Sequence, residues 1–169
     1  MKYLLPLLFC CLVADAQSFK VYELLIAKDK IESFSSPQKM IEAAGHDGVT
    51  MTAYADLPKG KNGVWSLDQT HIVRYAEEVN AQGQSTKFAD RKVGIEIRLE
   101  LQEDGRFDVS YSNTRLVAWI PFSEHAGVFQ PILTTTQLTP GPIYLDGYTA
   151  MGGLVNPDGV LQIIIQKIQ

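Results

Sequence analysis

Polar and apolar residues change places at every second position through much of this chain, the period of a β-strand with one buried and one wet face. Ile95, Ile97, Leu99 and Leu101 alternate with Glu96, Arg98, Glu100 and Gln102. Asp104-Gly105 then supplies residues that tolerate positive φ, and Phe107, Val109 and Tyr111 resume the alternation. Val49, Met51, Ala53, Ala55 and Leu57 alternate with Thr50, Thr52, Tyr54 and Asp56 and predict one half-buried strand. KVYELLIA is a short apolar strand. Further strands are expected around Thr70 to Glu77, Lys92 to Gln102, Arg106 to Ser112, Arg115 to Phe122, Phe129 to Leu138, Ile143 to Tyr148 and Val160 to Ile168. One segment has a different period. Ser35-Ser36-Pro37 offers a serine cap followed by proline at the first helical position, and Met40, Ile41 and Ala44 then share a helical face before Gly45 stops it. The pattern predicts a mainly β protein, an antiparallel sandwich-like single domain with one short α-helix, Pro37 to Ala44, near its N-terminus. The fold is Ig-like only in the broad, topological sense, because no Cys-Trp-Cys signature is present.

The last predicted strand, VLQIIIQKI, follows the turn Asn156-Pro157-Asp158-Gly159. Leu161, Ile163 and Ile165 are expected to face the core, which leaves Ile164 and Ile168 on the other side. Apolarity on both faces fits a central strand, and it fits equally a strand that meets a partner through Ile164 and Ile168.

Composition narrows the setting. Lys2, the apolar run Leu4 to Val13 and Ala14-Asp15-Ala16 read as a secretory signal spanning residues 1–16, with the mature chain starting at Gln17. Its apolar core is too short to span a bilayer. Cys10 and Cys11 lack the small residues that would precede a lipidated cysteine, so both are expected to leave with the signal. Residues 17–169 then form one exported domain without thiol, disulfide or cysteine metal ligand. The formal net charge is −4 and the charges are scattered. That argues against a nucleic-acid partner, which calls for a basic face, and against an electrostatic grip on anionic lipid. No other apolar run approaches the length of a membrane-spanning helix.

The order of several weak motifs is more informative than any one of them. Pro37 to Ala44, the break Gly45-His46-Asp47-Gly48 and the strand VTMTAYADLP are followed by Gly94 ahead of the long strand and by the Asp104-Gly105 tip. After these come Thr134 to Thr136, a Pro-Gly-Pro turn and the terminal Gly152-Gly153-Leu154. This order, from Pro37 to Val155, resembles the β-domain of secretins, the outer-membrane proteins of type II secretion and type IV pili. The resemblance implies a structural role in an envelope assembly, a homo-oligomeric habit, and pilus or secretin components as partners. Gly94, Asp104, Gly105, Gly152, Gly153 and Leu154 would be its fold motif. Secretins carry several further periplasmic domains, for which this chain has no room, and no amphipathic lip segment with lipid-facing aromatics stands out. A companion or structural subunit is therefore the expected role.

Candidate chemistry is sparse. His46, His71 and His125 are far apart, without H-x-x-x-H or H-E-x-x-H spacing. His46-Asp47 reads as a solvated loop pair before it reads as a dyad. There is no G-x-S-x-G elbow, phosphate-binding glycine loop or nucleophilic cysteine. Asp56, Asp68, Asp90 and Asp104 lack calcium-loop spacing, and Glu77-Glu78, adjacent on a strand, would point to opposite faces. The expectation is a non-catalytic protein with no cofactor and no metal. Trp65 and Trp119 with Tyr54, Tyr111 and Tyr148 suggest an alternative, an exported module that binds a glycan or a host surface, although aromatics are also ordinary sheet residues.

Overall fold

A computed structural model describes residues 17–58, 60–122 and 127–168; the expected secretory signal, residues 1–16, and His125 lie outside the described residues. The chain is mainly antiparallel β: β1 (Ser18–Ile26), a 3-10 turn (Ile31–Ser33), α1 (Pro37–Glu42), β2 (Val49–Leu57), β3 (Val64–Val79), β4 (Ser85–Leu101), β5 (Phe107–Pro121), β6 (Phe129–Leu138), β7 (Tyr148–Asn156) and β8 (Gly159–Ile168). The strands form two four-stranded sheets, ordered β2-β1-β8-β7 and β3-β4-β5-β6. By internal contacts the chain divides into two compact units, Met1–Ser66 with Arg98–Val109 and Pro140–Gln169, and Leu67–Ile97 with Ser110–Thr139. Strands β3, β4 and β5 contribute residues to both.

The first unit holds the whole first sheet, whose central strands β1 and β8 carry buried residues on both faces. On one face Tyr22, Leu24, Ile26, Val49 and Ile164 form a cluster with Ala43, and Met40, Ile41 and Ala44 of the helical segment pack onto it together with Ile31 and Phe34. On the other face Phe19 meets the edge of Trp65 at 5.2 Å and of Phe107 at 5.5 Å. Trp65 is fully buried, and its indole N–H donates to Gln17 O at 2.8 Å, so its one polar group is satisfied. α1 begins as the residues predict. Ser36 caps it, accepting from Lys39 N–H at 3.3 Å, with Pro37 at the first position. It ends two residues early, at Glu42, and Gly45 at φ 93° turns the chain into β2.

The 49–57 alternation does not lie on one face. Between Glu23 and Leu24 the β1–β2 register shifts, with Leu24 opposite Met51 and Glu23 opposite Ala53, which leaves Thr52 as an extra, bulged residue. Val49 and Met51 therefore share the helix side with Ile26 and Leu24, whereas Ala53, Ala55 and Leu57 share the opposite side with Glu23, Val21 and Phe19. Thr52 turns its hydroxyl onto the buried Glu23 carboxylate, donating to Oε1 at 2.6 Å.

Two other expectations change. The two strands around Arg106–Ser112 and Arg115–Phe122 are one, β5, because Asn113 is buried and stays in the ladder opposite Thr136. Ile143–Tyr148 is not a strand. Ile143 makes only an isolated bridge to Phe107, and Pro140-Gly141-Pro142 before it and Gly147 at φ 53° after it stop the ladder from growing.

The hairpin at 102–106 is a type I turn closed by a left-handed glycine. Gly105 N–H donates to Gln102 O at 3.0 Å, Gln102 N–H to Arg106 O at 2.8 Å, and Gly105 sits at φ 84°. A β-carbon there meets no atom within 4 Å, so the cost of a side chain is conformational alone. Gly105→Val should therefore lower stability by about 1 kcal/mol. The midpoint of urea unfolding measures this, and an unchanged midpoint would mean that the turn rearranges.

Candidate functional site

The titratable residues do not converge. His46 lies in the loop after α1, its Nε2 3.9 Å from Asp47 Oδ2, with both side chains exposed. His71 lies along β3. Glu77 and Glu78 are both held by Lys87, at 2.7 and 3.5 Å, and the Lys87 hydrogen bond keeps the Glu77 carboxyl below its ordinary range. Asp68 bonds Thr70 and pairs with Lys92, Asp90 faces Arg74, and Asp104 is gripped by Arg106 at 2.6 Å. Among the described residues no three His, Cys, Asp or Glu side chains gather as metal ligands would. In the NPDG turn Asn156 Oδ1 accepts from the Asp158 and Gly159 N–H groups, an internal role.

Three of the six candidate fold-motif residues, Gly94, Gly105 and Gly152, have positive φ. Gly94 sits at φ 128° in β4, where a β-carbon would run into Gln69 O and Thr70 Cα of β3. Asp104 and Gly105 form the turn described above. Gly152 at φ 117° lies inside the β7–β8 register shift between Ala150 and Gly153. A β-carbon at Gly153 would come within 2.6 Å of Gln162 Nε2. Leu154 pairs with Leu161 and is exposed. Of the two candidate interface residues, Ile164 is fully buried in the cluster beneath α1 and offers no surface. Strand β8 is central, between β1 and β7, which accounts for its two apolar faces. Ile168 is half-buried opposite Ser18.

The aromatic candidates separate as well. Trp65 and Tyr111 are buried, and Trp119 is exposed on β5. Tyr54 and Tyr148 belong to one polar and aromatic face of the first sheet. Tyr22 O–H donates to Gln166 Oε1 at 2.8 Å, Gln166 Nε2 donates to Tyr148 Oη at 3.0 Å, and Tyr54, 5.3 Å from Tyr22 between ring centres, donates to Asp56 Oδ1 at 2.6 Å. Burial, then the bond to the Asp56 carboxylate, pushes the Tyr54 hydroxyl up to about 12. A phenol whose folded pKa exceeds its unfolded one stabilises the fold at neutral pH, and that contribution is lost as pH rises from about 10 toward 12. Tyr54→Phe should flatten this part of the stability–pH curve, with urea unfolding at stepped alkaline pH as the measurement.

One exposed apolar surface was not read from the strand pattern. In the second unit Val117, Trp119, Ile120, Phe129 and Ile132 are each between 41% and 62% exposed, all toward the turn end of the β5–β6 hairpin. The ladder pairs Trp119 with Pro131 and Leu116 with Leu133 on one face, and Ala118 with Ile132 and Ile120 with Gln130 on the other. Both faces are therefore apolar there. The neighbouring β3–β4 hairpin differs: Arg74–Asp90, Lys87–Glu77 and Lys92–Asp68 ion pairs run along it. The sheet also curls, so that Gln130 on β6 reaches Ala76 O on β3 at 3.4 Å. A signal for this surface does exist in the sequence. Leu116 to Ser123 and Ala126 to Leu145 contain no Asp, Glu, Lys or Arg.

No family model matches the chain, and no curated protein matches it. Among solved structures it is similar to the InvG secretin-domain β-barrel from the Salmonella SPI-1 injectisome NC-base, at 12% identity and a TM-score of 0.46, over 89% of this chain and 61% of that one. It is also similar to the type III secretion injectisome secretin InvG seen by cryo-EM, at 8% identity and a TM-score of 0.41, over 89% and 60%. A third likeness, again at 8% and 0.41, is to an atomic model of the SPI-1 basal body proteins InvG, PrgH and PrgK, over 89% of this chain and 42% of that one. The chain thus spans less than two thirds of each neighbour. Likeness at this level assigns it neither a family nor an activity.

Proposed function

We propose that this protein is a non-catalytic structural subunit of a secretion assembly in the cell envelope, of the secretin-related kind that serves a type IV pilus. One observation carries the reading: the second unit is a four-stranded sheet that leaves large apolar side chains exposed, with β3 and β6 as its edge strands. A folded chain keeps such a surface at a cost in solubility unless something covers it. The ordered glycine and turn motif supports the same reading, because Gly94, Gly105 and Gly152 each stand where only glycine is comfortable. Export, an envelope location and self-association belong to this proposal. Residues 17–169 at micromolar concentration should form a closed homo-oligomer in light scattering and should retain pilus or secretin components in a pull-down. A monomer that retains neither would end the proposal.

A glycan-binding role is the second reading, favoured by the Tyr22–Gln166–Tyr148 and Tyr54–Asp56 hydrogen bonds on one sheet face. Chemical-shift changes confined to these residues on titration with neutral oligosaccharides, absent in Tyr54→Ala, would favour it over the first.

A further inference from the structure

We infer that Asn62 is a spontaneous modification site: in the folded protein its side chain closes on Gly63 to a succinimide, and the isoaspartate that results loosens the start of β3. The site is separate from the surfaces on which the assembly and glycan readings rest.

Four asparagines lie in the chain, Asn62, Asn80, Asn113 and Asn156, and the fold closes the route at three of them. The step needs an accessible carboxamide carbon and, one residue later, a backbone nitrogen free to attack it. Asn113 is buried. Asn80 Oδ1 accepts from the Gln82 and Gln84 N–H groups at 3.0 and 2.9 Å, which pins the amide, and Ala81 follows it with a β-carbon in the way. Asn156 is followed by Pro157, whose nitrogen carries no proton to give up. The Asp-Gly pairs offer a carboxylate instead, and an ionised carboxyl is a poor electrophile. Two of them are also held at the nitrogen: Gly105 N–H donates to Gln102 O at 3.0 Å and Gly159 N–H to Asn156 Oδ1 at 2.9 Å.

Asn62-Gly63 has none of these obstacles. It is the centre of a two-residue hairpin in which Lys61 N–H donates to Val64 O at 3.1 Å and Val64 N–H to Lys61 O at 3.0 Å. Asn62 sits at φ 54° and Gly63 at φ 73°, the positive pair of a type I′ turn. Asn62 is exposed, and its side chain makes no hydrogen bond among the described residues. The ladder bonds use the amides of Lys61 and Val64, so the Gly63 N–H stays outside them. A flip of the central peptide to type II′ keeps both bonds, asks for negative φ only at the glycine, and turns the Gly63 nitrogen toward Asn62 Cγ.

There the Gly63 nitrogen attacks Cγ. An N–Cγ bond forms, the Cγ–Nδ2 bond breaks, the amide proton passes to the leaving nitrogen, and ammonia departs. Water then adds to either carbonyl of the succinimide and opens it to aspartate or to isoaspartate. Aspartate keeps the turn, since Asp, like Asn, tolerates positive φ. Isoaspartate routes the chain through the side-chain carbon and adds a backbone atom to a turn whose twist fits two ordinary residues. Gly63 O, which accepts from Leu101 N–H at 2.8 Å, then loses its alignment, and the fully buried Trp65 stands two residues from the break.

Residues 17–169 are held folded at mildly alkaline pH, and their peptides are mapped by mass spectrometry at intervals. The expected result is the amide-to-acid mass increase at Asn62 and at none of Asn80, Asn113 and Asn156, with an isoaspartyl methyltransferase labelling the same peptide. Asn62→Gln should remove both signals, because the longer side chain closes its ring far more slowly. The isoaspartate form, isolated by chromatography, should unfold at a lower urea midpoint than the unmodified protein. Asn62→Asp, which carries the same charge on an ordinary backbone, should keep the unmodified midpoint. Modification of another asparagine ahead of Asn62 would overturn the inference. So would an Asn62 that stays intact in the folded protein and reacts only in the urea-unfolded chain, because the native turn would then be protective. An Asn62→Asp midpoint as low as that of the isoaspartate form would overturn the structural consequence, since charge and not the added backbone atom would be its cause.

Discussion

Ile164→Lys should leave the first unit unable to fold. Ile164 is fully buried at the centre of the cluster formed by Tyr22, Leu24, Ile26, Ala43 and Val49, on a strand hydrogen-bonded on both sides. Truncating such a side chain costs about 2–5 kcal/mol by itself. Placing an ammonium among these apolar groups adds several kcal/mol more. The sum approaches or exceeds the roughly 5–15 kcal/mol by which a domain is stable. In urea Ile164→Val should shift the midpoint by about 1 kcal/mol, while Ile164→Lys shows no cooperative transition. Ile168→Lys, half-buried at the strand end, should cost about 1 kcal/mol or less. Near-native melting of Ile164→Lys would show that α1 does not hold the sheet face closed.

Gly94→Ala is the second large effect, with an expected loss of about 3 kcal/mol. The backbone conformation at φ 128° is one that a residue with a β-carbon enters at a cost of about 1–3 kcal/mol. The new carbon would also run into backbone, Gln69 O and Thr70 Cα, which cannot rotate away as a side chain can. Parting β3 from β4 to make room adds about 1–3 kcal/mol of overpacking strain. Gly105→Ala is the matched control, because that position has positive φ and open space and should lose only about 1 kcal/mol. Equal losses in equilibrium urea unfolding would mean that β3 can move aside and that close approach is not what Gly94 provides.

Much of the architecture is legible locally. The cap Ser36-Pro37, the glycine stop at Gly45 and the turns at Asp104-Gly105 and Asn156–Gly159 occur where their residue types demand, because each is settled within a few bonds. The apolar hairpin end was in principle legible too, through its lack of charge. Period-2 counting passes over it, because Leu116-Val117 and Trp119-Ile120 do not alternate.

The sequence alone determined that this chain is mainly β, that it has one short capped helix, and where most of its turns fall. These follow from side-chain period and from backbone freedom at glycine and proline. Only the tertiary structure decided which face each strand shows. An unbroken alternation from Val49 to Leu57 is split between two faces by one bulged residue, Thr52, whose hydroxyl bonds Glu23 on the neighbouring strand. Likewise Ile164 became core because β8 pairs with β1 on one side and β7 on the other beneath a helix more than a hundred residues earlier in the chain. Which strands become neighbours is set by the burial and hydrogen-bond satisfaction of the whole sheet, and no local window of residues contains that information.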